Sequence, residues 1–262
     1  WAPFRTSANW ITERMPPTES KIVATLEARM TSTRLPGKVL KSILDKPVLE
    51  LMIERLRRVP SLSSIVLATT TNSTDDPVAE LAHKMDIEVW RGSENDVLGR
   101  VADAATAVDA DIVVETTGDC PLIDPEVVEC SIQDFLSGGA DCVSNAFVPT
   151  YPLGMDHYVV RAETLRVAAR ESTDSEDREH VIRFVLRQPE RFHLRNLVAP
   201  SALHRPNLFL TLDYIEDFEL IQIIFERLYP ENPVFDTDEI LALVDSEPGL
   251  ADWNAHVRGL RV

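Results

Sequence analysis

Ile22-Val23-Ala24-Thr25-Leu26 is a short β-rich run that reads as a buried strand, and a polar loop, Arg29 to Lys38, follows it. Downstream the same alternation recurs. Pro47 suits the first turn of a helix carrying Val48, Met52, Leu56 and Val59 at helical spacing. Ile65-Val66-Leu67-Ala68 is a second strand, Pro77 to Met85 a helix, and Glu88-Val89-Trp90 a third strand. Asp96 is placed to cap a helix with Val97, Val101, Ala104 and Ala105 on one side. Ile112-Val113-Val114 is another strand, and Pro125 opens a helix through Leu136. Strand and helix alternating at this spacing predict right-handed βαβ units and a mostly parallel sheet. Ligands of such sheets bind beyond the carboxyl ends of the strands, so the strand-to-helix loops are where chemistry is expected.

Between Asp141 and Asn207 the rhythm loosens, and about 144–206 reads as an insertion or lid rather than more sheet. Leu208 to Leu212 reads as a returning strand, Ile215 to Leu228 as an amphipathic helix, and Glu239 to Asp245 as a helix capped by Asp236. The predicted organisation is an α/β domain over 21–234 and a helical appendage over 235–262. Residues 1–20 begin with Trp and show no secretory pattern. They read as a poorly ordered extension, a cloning remnant or the junction of a longer polypeptide, with Met15 as a natural start.

The chain has 262 residues and a net charge of −17. Such acidity repels phosphate backbones and anionic lipid, so neither nucleic acid nor a membrane is an expected partner. No stretch approaches the ~18 apolar residues of a membrane span. Cys120, Cys130 and Cys142 are too few and too scattered for a disulfide framework or a zinc site, and read as small buried thiols in a reducing cytoplasm.

Three loops carry unusual chemistry. Ala28 to Lys38 gathers Arg29, Arg34 and Lys38 with the hydroxyls of Thr31, Ser32 and Thr33, a positive island suited to polyphosphate oxygens. It is not a P-loop, because Lys38 is followed by Val39. Thr116-Thr117-Gly118-Asp119-Cys120-Pro121 puts Asp119 at the carboxyl edge of the sheet, where a carboxylate can hold Mg²⁺, while Asp124 before Pro125 reads as a cap. Asp213 ends the run Leu208 to Leu212, and reads as a helix cap completed by Glu216, a use compatible with metal binding. The D-x-D pairs Asp109/Asp111 and Asp236/Asp238 read as structural.

The loop Ala28-Arg29-x-x-Ser32-Thr33-Arg34-Leu35-Pro36-Gly37-Lys38 resembles the nucleotide-binding loop of the sugar-activating cytidylyltransferases. Arg91-Gly92-Ser93-Glu94-Asn95-Asp96-Val97-Leu98-Gly99-Arg100, Gly118 to Asp124, and Arg178-Glu179-His180-Val181 narrow the resemblance to the spore-coat polysaccharide branch. It covers about Lys21 to Leu228. The resemblance implies a Rossmann-like three-layer α/β fold, a homodimer, and transfer of CMP from CTP to a sugar-acid-like or phosphonate acceptor, with release of pyrophosphate. It places Ala28, Arg29, Ser32, Arg34 and Lys38 on the triphosphate, with Arg29, Lys38 and Asp119 catalytic, and catalytic Mg²⁺ on Asp119 and Asp213. It also places Thr69, Gly92, Ser93 and Arg100 near base and ribose, and Tyr151, Asp156, Arg178 and His180 around an anionic acceptor. Thr31 stands where this branch usually has Gly, and Glu27 where it has Gln. A glycosyltransferase using a preformed nucleotide sugar and a non-catalytic nucleotide-binding module are the alternatives.

Overall fold

The computed structural model describes residues 20–260; the reading of 1–20 falls almost wholly outside them. In chain order the main elements are β1 (Ile22–Glu27), β2 (Ser42–Ile43), β3 (Lys46–Pro47), α1 (Val48–Leu56), β4 (Ser64–Thr70), α2 (Asp76–Lys84), β5 (Glu88–Gly92), α3 (Val97–Ala107), β6 (Ile112–Thr117) and α4 (Pro125–Leu136). There follow β7 (Cys142–Ser144), β8 (Tyr158–Arg161), α5 (Ala162–Glu171), α6 (Ser175–Glu179), α7 (Arg183–Leu186), β9 (Leu194–Asn196), α8 (Ile215–Leu228) and α9 (Thr237–Ser246).

The main sheet has the order β5-β4-β1-β6-β8-β7-β9. β5, β4, β1 and β6 run parallel, and β8 is antiparallel to both of its neighbours. β1 alternates across the sheet. Ile22, Ala24 and Leu26 pack with α1, α2 and α4, whereas Val23 faces the core built by α3 and α5. The result is the expected three-layer α/β sandwich. A third core joins α8 and α9 to Ile43, Val48 and Leu51.

Caps behave largely as their residue types dictate. Asp96 accepts from Gly99 N at 2.9 Å, Asp124 from Glu126 N at 2.8 Å, and Asp236 forms a capping box with Glu239.

Several expectations are corrected. Pro47 pairs in β3 and precedes its helix, which ends at Leu56, short of Val59. The 144–206 region is not separate from the sheet, because it supplies β8 and β9. These strands are only three or four residues long, too short for a clear period. Leu208 to Leu212 is no strand; its β-pairing is confined to an isolated bridge, Leu153 to Phe209. Leu208, Leu210 and Leu212 are apolar because they face the third core. Cys120 and Cys142 are buried, but Cys130 is exposed on α4.

Candidate active site

The carboxyl ends of β1 and β6, the loop 28–38 and the N-terminus of α3 enclose a cleft of about 330 Å³. The loop folds around the carbonyl of Met30, which accepts from Ser32 N at 3.0 Å and Gly37 N at 2.9 Å. Gly37 supplies the left-handed turn, φ 69°, that brings Lys38 back toward the sheet. Met30 N donates in turn to Asp75 Oδ1 at 2.7 Å, which fixes the loop to the end of β4.

Lys38 is the hub. Its ammonium donates to Asp119 Oδ2 at 3.1 Å, Asp213 Oδ1 at 3.1 Å and the carbonyl of Leu212 at 2.7 Å. Arg34 donates to the same Asp213 oxygen at 2.9 Å. Burial alone would push the Lys38 ammonium down, but the two carboxylates outweigh it and hold its pKa above the ordinary value. Burial would likewise raise Asp119; Lys38 and the Thr117 hydroxyl, 2.6 Å from Oδ1, instead hold it below. The two aspartates therefore converge on one cation, although they lie far apart in the chain.

Asp213 does not cap α8, and Glu216 completes no box with it. Tyr214 is the N-cap residue, and Asp217 Oδ2 accepts the backbone N–H groups of Asp213 at 3.0 Å and Tyr214 at 2.8 Å. That assignment leaves the Asp213 carboxylate to Lys38 and Arg34, although Asp213 itself is not part of the cleft lining.

Ala28, Arg29, Ser32, Arg34, Lys38, Arg100, Asp119 and His180 all line the cleft, so the structure brings together most of the residues singled out in the sequence. Arg100 donates to the carbonyls of Ala68 at 3.2 Å and Ser93 at 2.6 Å. Gly92 makes room for it, since a Cβ there would stand 3.0 Å from Arg100 Cγ. Thr69 is wholly buried in β4 and is not part of the lining. Tyr151 packs with Val127 and Ala199, also away from the lining. Arg178 is committed elsewhere: it donates to Ala169 O at 2.6 Å and Ser172 O at 2.8 Å, and it faces Asp96 at 3.2 Å.

Several carboxyls near the cleft were not anticipated as a group. Glu27 lines it, with Oε1 buried and lacking a partner among the described residues. Burial first, then the charge and hydrogen bond of Glu115 on β6, raise the Glu27 pKa well above the carboxylate range. Glu115 is raised as well, chiefly by burial. Burial, reinforced by Asp119, pushes Asp156 up to about 6. Charge on Glu27 is thus disfavoured in the fold. Thr31 does not need the left-handed conformation, because it is not among the described residues with positive φ.

Asp119 and Asp213 suit a hard divalent ion such as Mg²⁺, which takes one or two protein carboxylates and completes its shell with water and phosphate oxygens. Asp213 Oδ2 has no hydrogen-bond partner among the described residues, and no group of three His, Cys, Asp or Glu ligands gathers among them.

Comparisons with known proteins agree with this geometry. Residues 23–246 match the Cytidylyltransferase family, and the chain belongs to it. It is a nucleotidyltransferase. Bacillus subtilis spore coat polysaccharide biosynthesis protein SpsF is 31% identical over 88% of this chain and 96% of its own length. The 3-deoxy-manno-octulosonate cytidylyltransferase of Trichlorobacter lovleyi is 36% identical, but over only 44% of this chain and 45% of its own. The solved structure of a cytidylyltransferase from Leptospira borgpetersenii superposes with a TM-score of 0.84 at 30% identity, covering 89% of this chain and 97% of that one.

Proposed function

We propose that this protein transfers CMP from CTP to a small acceptor, with Mg²⁺ as cofactor and pyrophosphate as the leaving group. The observation that carries this reading is Lys38, held between Asp119 and Asp213 at the mouth of a cation-rich loop. In a chain of net charge −17, this loop is the local feature that makes the cleft receptive to a polyanion.

Arg29, Ser32, Arg34 and Lys38 would bind the triphosphate. The acceptor oxygen attacks the α-phosphorus in line, and the bond to the β-phosphate bridging oxygen breaks. The protein's contribution to such a transfer is positioning and charge neutralisation. Lys38 and Arg34 are already poised on carboxylates, so they can turn to phosphate oxygens without a large rearrangement. Bound to Asp119 and Asp213, Mg²⁺ would supply Lewis-acid polarisation of the α-phosphate. Burial and Glu115 disfavour charge on Glu27, which limits its repulsion of the triphosphate. His180 and Asp156 flank the place left for the acceptor, which we take to be a sugar acid or a phosphonate.

Thermal unfolding with CTP, UTP, ATP or GTP, with and without Mg²⁺, tests the reading. CTP at about 100 times its dissociation constant should add roughly 2.7 kcal/mol, and only when Mg²⁺ is present. Asp119→Asn and Asp213→Asn should each abolish the Mg²⁺ dependence while leaving a folded protein. A flat response to all four nucleotides would sink the proposal. Pyrophosphate release across a panel of sugar acids and phosphonates would then identify the acceptor.

A further inference from the structure

Glu94, in the loop between β5 and α3, gathers three donors on one carboxylate. Arg29 Nη1 donates to Oε1 at 2.8 Å, the Thr31 hydroxyl to the same oxygen at 2.7 Å, and Asn72 Nδ2 to Oε2 at 2.7 Å. These donors come from two strand ends. Asn72 follows β4, whereas Arg29 and Thr31 belong to the loop after β1. The frame behind them is tied as well. Arg91 donates to the carbonyls of Thr70 and Asn72, each at 2.7 Å, and pairs with Asp76 at 2.6 Å.

We propose that Glu94 is a positioning residue for CTP. It fixes the direction of the Arg29 guanidinium and the path of the loop at Thr31, so that Arg29 faces the triphosphate. This rests on the reading of Arg29 as a triphosphate contact. The geometry supports it in two ways. A guanidinium has five donors in a fixed fork, so one N–H held by Glu94 orients the others and leaves most of them for phosphate. Thr31 also acquires a reason: its hydroxyl gives the loop a tether that a glycine would lack. The hydrogen bonds from Thr31 and Asn72, with Arg29, hold the Glu94 carboxyl below its ordinary range, so it stays an anion under assay conditions.

A double-mutant cycle on CTP binding, measured by calorimetry in Mg²⁺ buffer, tests the proposal. Glu94→Ala should weaken CTP about tenfold, with little change in the melting temperature of the nucleotide-free protein. In an Arg29→Ala background the same change should cost less than about twofold, because the residue being positioned is gone. Glu94→Asp keeps the charge but is one methylene short, and should recover part of the loss. Unchanged binding in Glu94→Ala overturns the proposal. So does an equal loss in both backgrounds, which would make Glu94 merely structural. Tighter binding overturns it too, since Glu94 would then be competing with the triphosphate for Arg29. If Arg29→Ala itself binds CTP as the unaltered protein does, the triphosphate reading falls first and takes the proposal with it.

Discussion

The loop wall and the carboxyl floor of the cleft solve the same problem in opposite ways. On the wall, Arg29, Arg34 and Lys38 each stand within 3.1 Å of a carboxylate oxygen, and charge is tolerated because it is paired. On the floor, burial raises the pKa values of Glu27, Glu115 and Asp156, and charge is disfavoured rather than paired. The paired wall can exchange one anion for another. The floor, where burial works against ionisation, adds less repulsion toward a polyanion than three solvated carboxylates would.

The sharpest way to break this contrast is to remove the hub of the wall. Lys38→Met would leave Asp119 without its cation and Asp213 with Arg34 alone. It should cost about 4 kcal/mol in denaturant unfolding and abolish the CTP-induced shift. If stability holds, the pairing is not what makes these carboxylates tolerable.

Asp156 and its neighbour His157 give opposite pH limbs. His157 is wholly buried, with Nε2 2.7 Å from Ser131 Oγ and Nδ1 3.0 Å from Met155 O, and burial lowers its pKa to about 4. A depressed histidine favours the neutral form in the fold, so its stability is present above about 6.5 and is lost as pH falls toward 4. The loss should total about 3 kcal/mol. For Asp156 the native pKa is raised, so its stability is present below the unfolded value near 4 and is lost as pH rises toward 6. Partial exposure brings that loss to about 2 kcal/mol. Unfolding free energies of His157→Gln and Asp156→Asn between pH 4 and 7 should therefore depart from the parent protein in opposite directions. Parallel profiles would refute the protonation reading of this region.

The smallest effect is expected from Glu27→Gln. At acidic pH, below the ordinary value of about 4.5, it should be almost silent, because the amide mimics a protonated carboxyl. As pH rises from there, the parent protein should lose stability, because its unfolded state ionises while burial and Glu115 disfavour charge on Glu27 in the fold, and the variant should not. A large loss at pH 7 would show that Glu27 is a charged partner in the native state.

The parts legible in the sequence were those governed by local rules. β1 and β6 each open on apolar residues rich in β-branched types, α4 has Asp124 and Pro125 at its start, and the loop 28–38 concentrates cations in an acidic chain. What escaped depends on distant partners. Asp213 looked like a cap because it precedes a helix, yet Asp217 takes the backbone donors. Leu208 to Leu212 looked like a strand because it is apolar at alternate positions, but what it satisfies is a packing surface, not a ladder. Glu27 and Glu94 carry the same letter; only the fold reveals that one is buried against another acid and the other is anchored by three donors.

One hydrogen bond gives the cleft a mechanical seam. Leu212 N donates to Asp119 O at 2.8 Å, and this links the segment that ends in Asp213 to the loop after β6. Asp119 is held two residues beyond the end of β6, whereas Asp213 is anchored through Leu210, Leu212 and α8 to the third core. The distance between the two carboxylates is thus a gauge of how that helical flank sits on the sheet. Ile224 and Phe235 lie in that core and not among the residues lining the cleft, yet their packing sets the gauge, and loosening them would detune the site by moving one jaw of it.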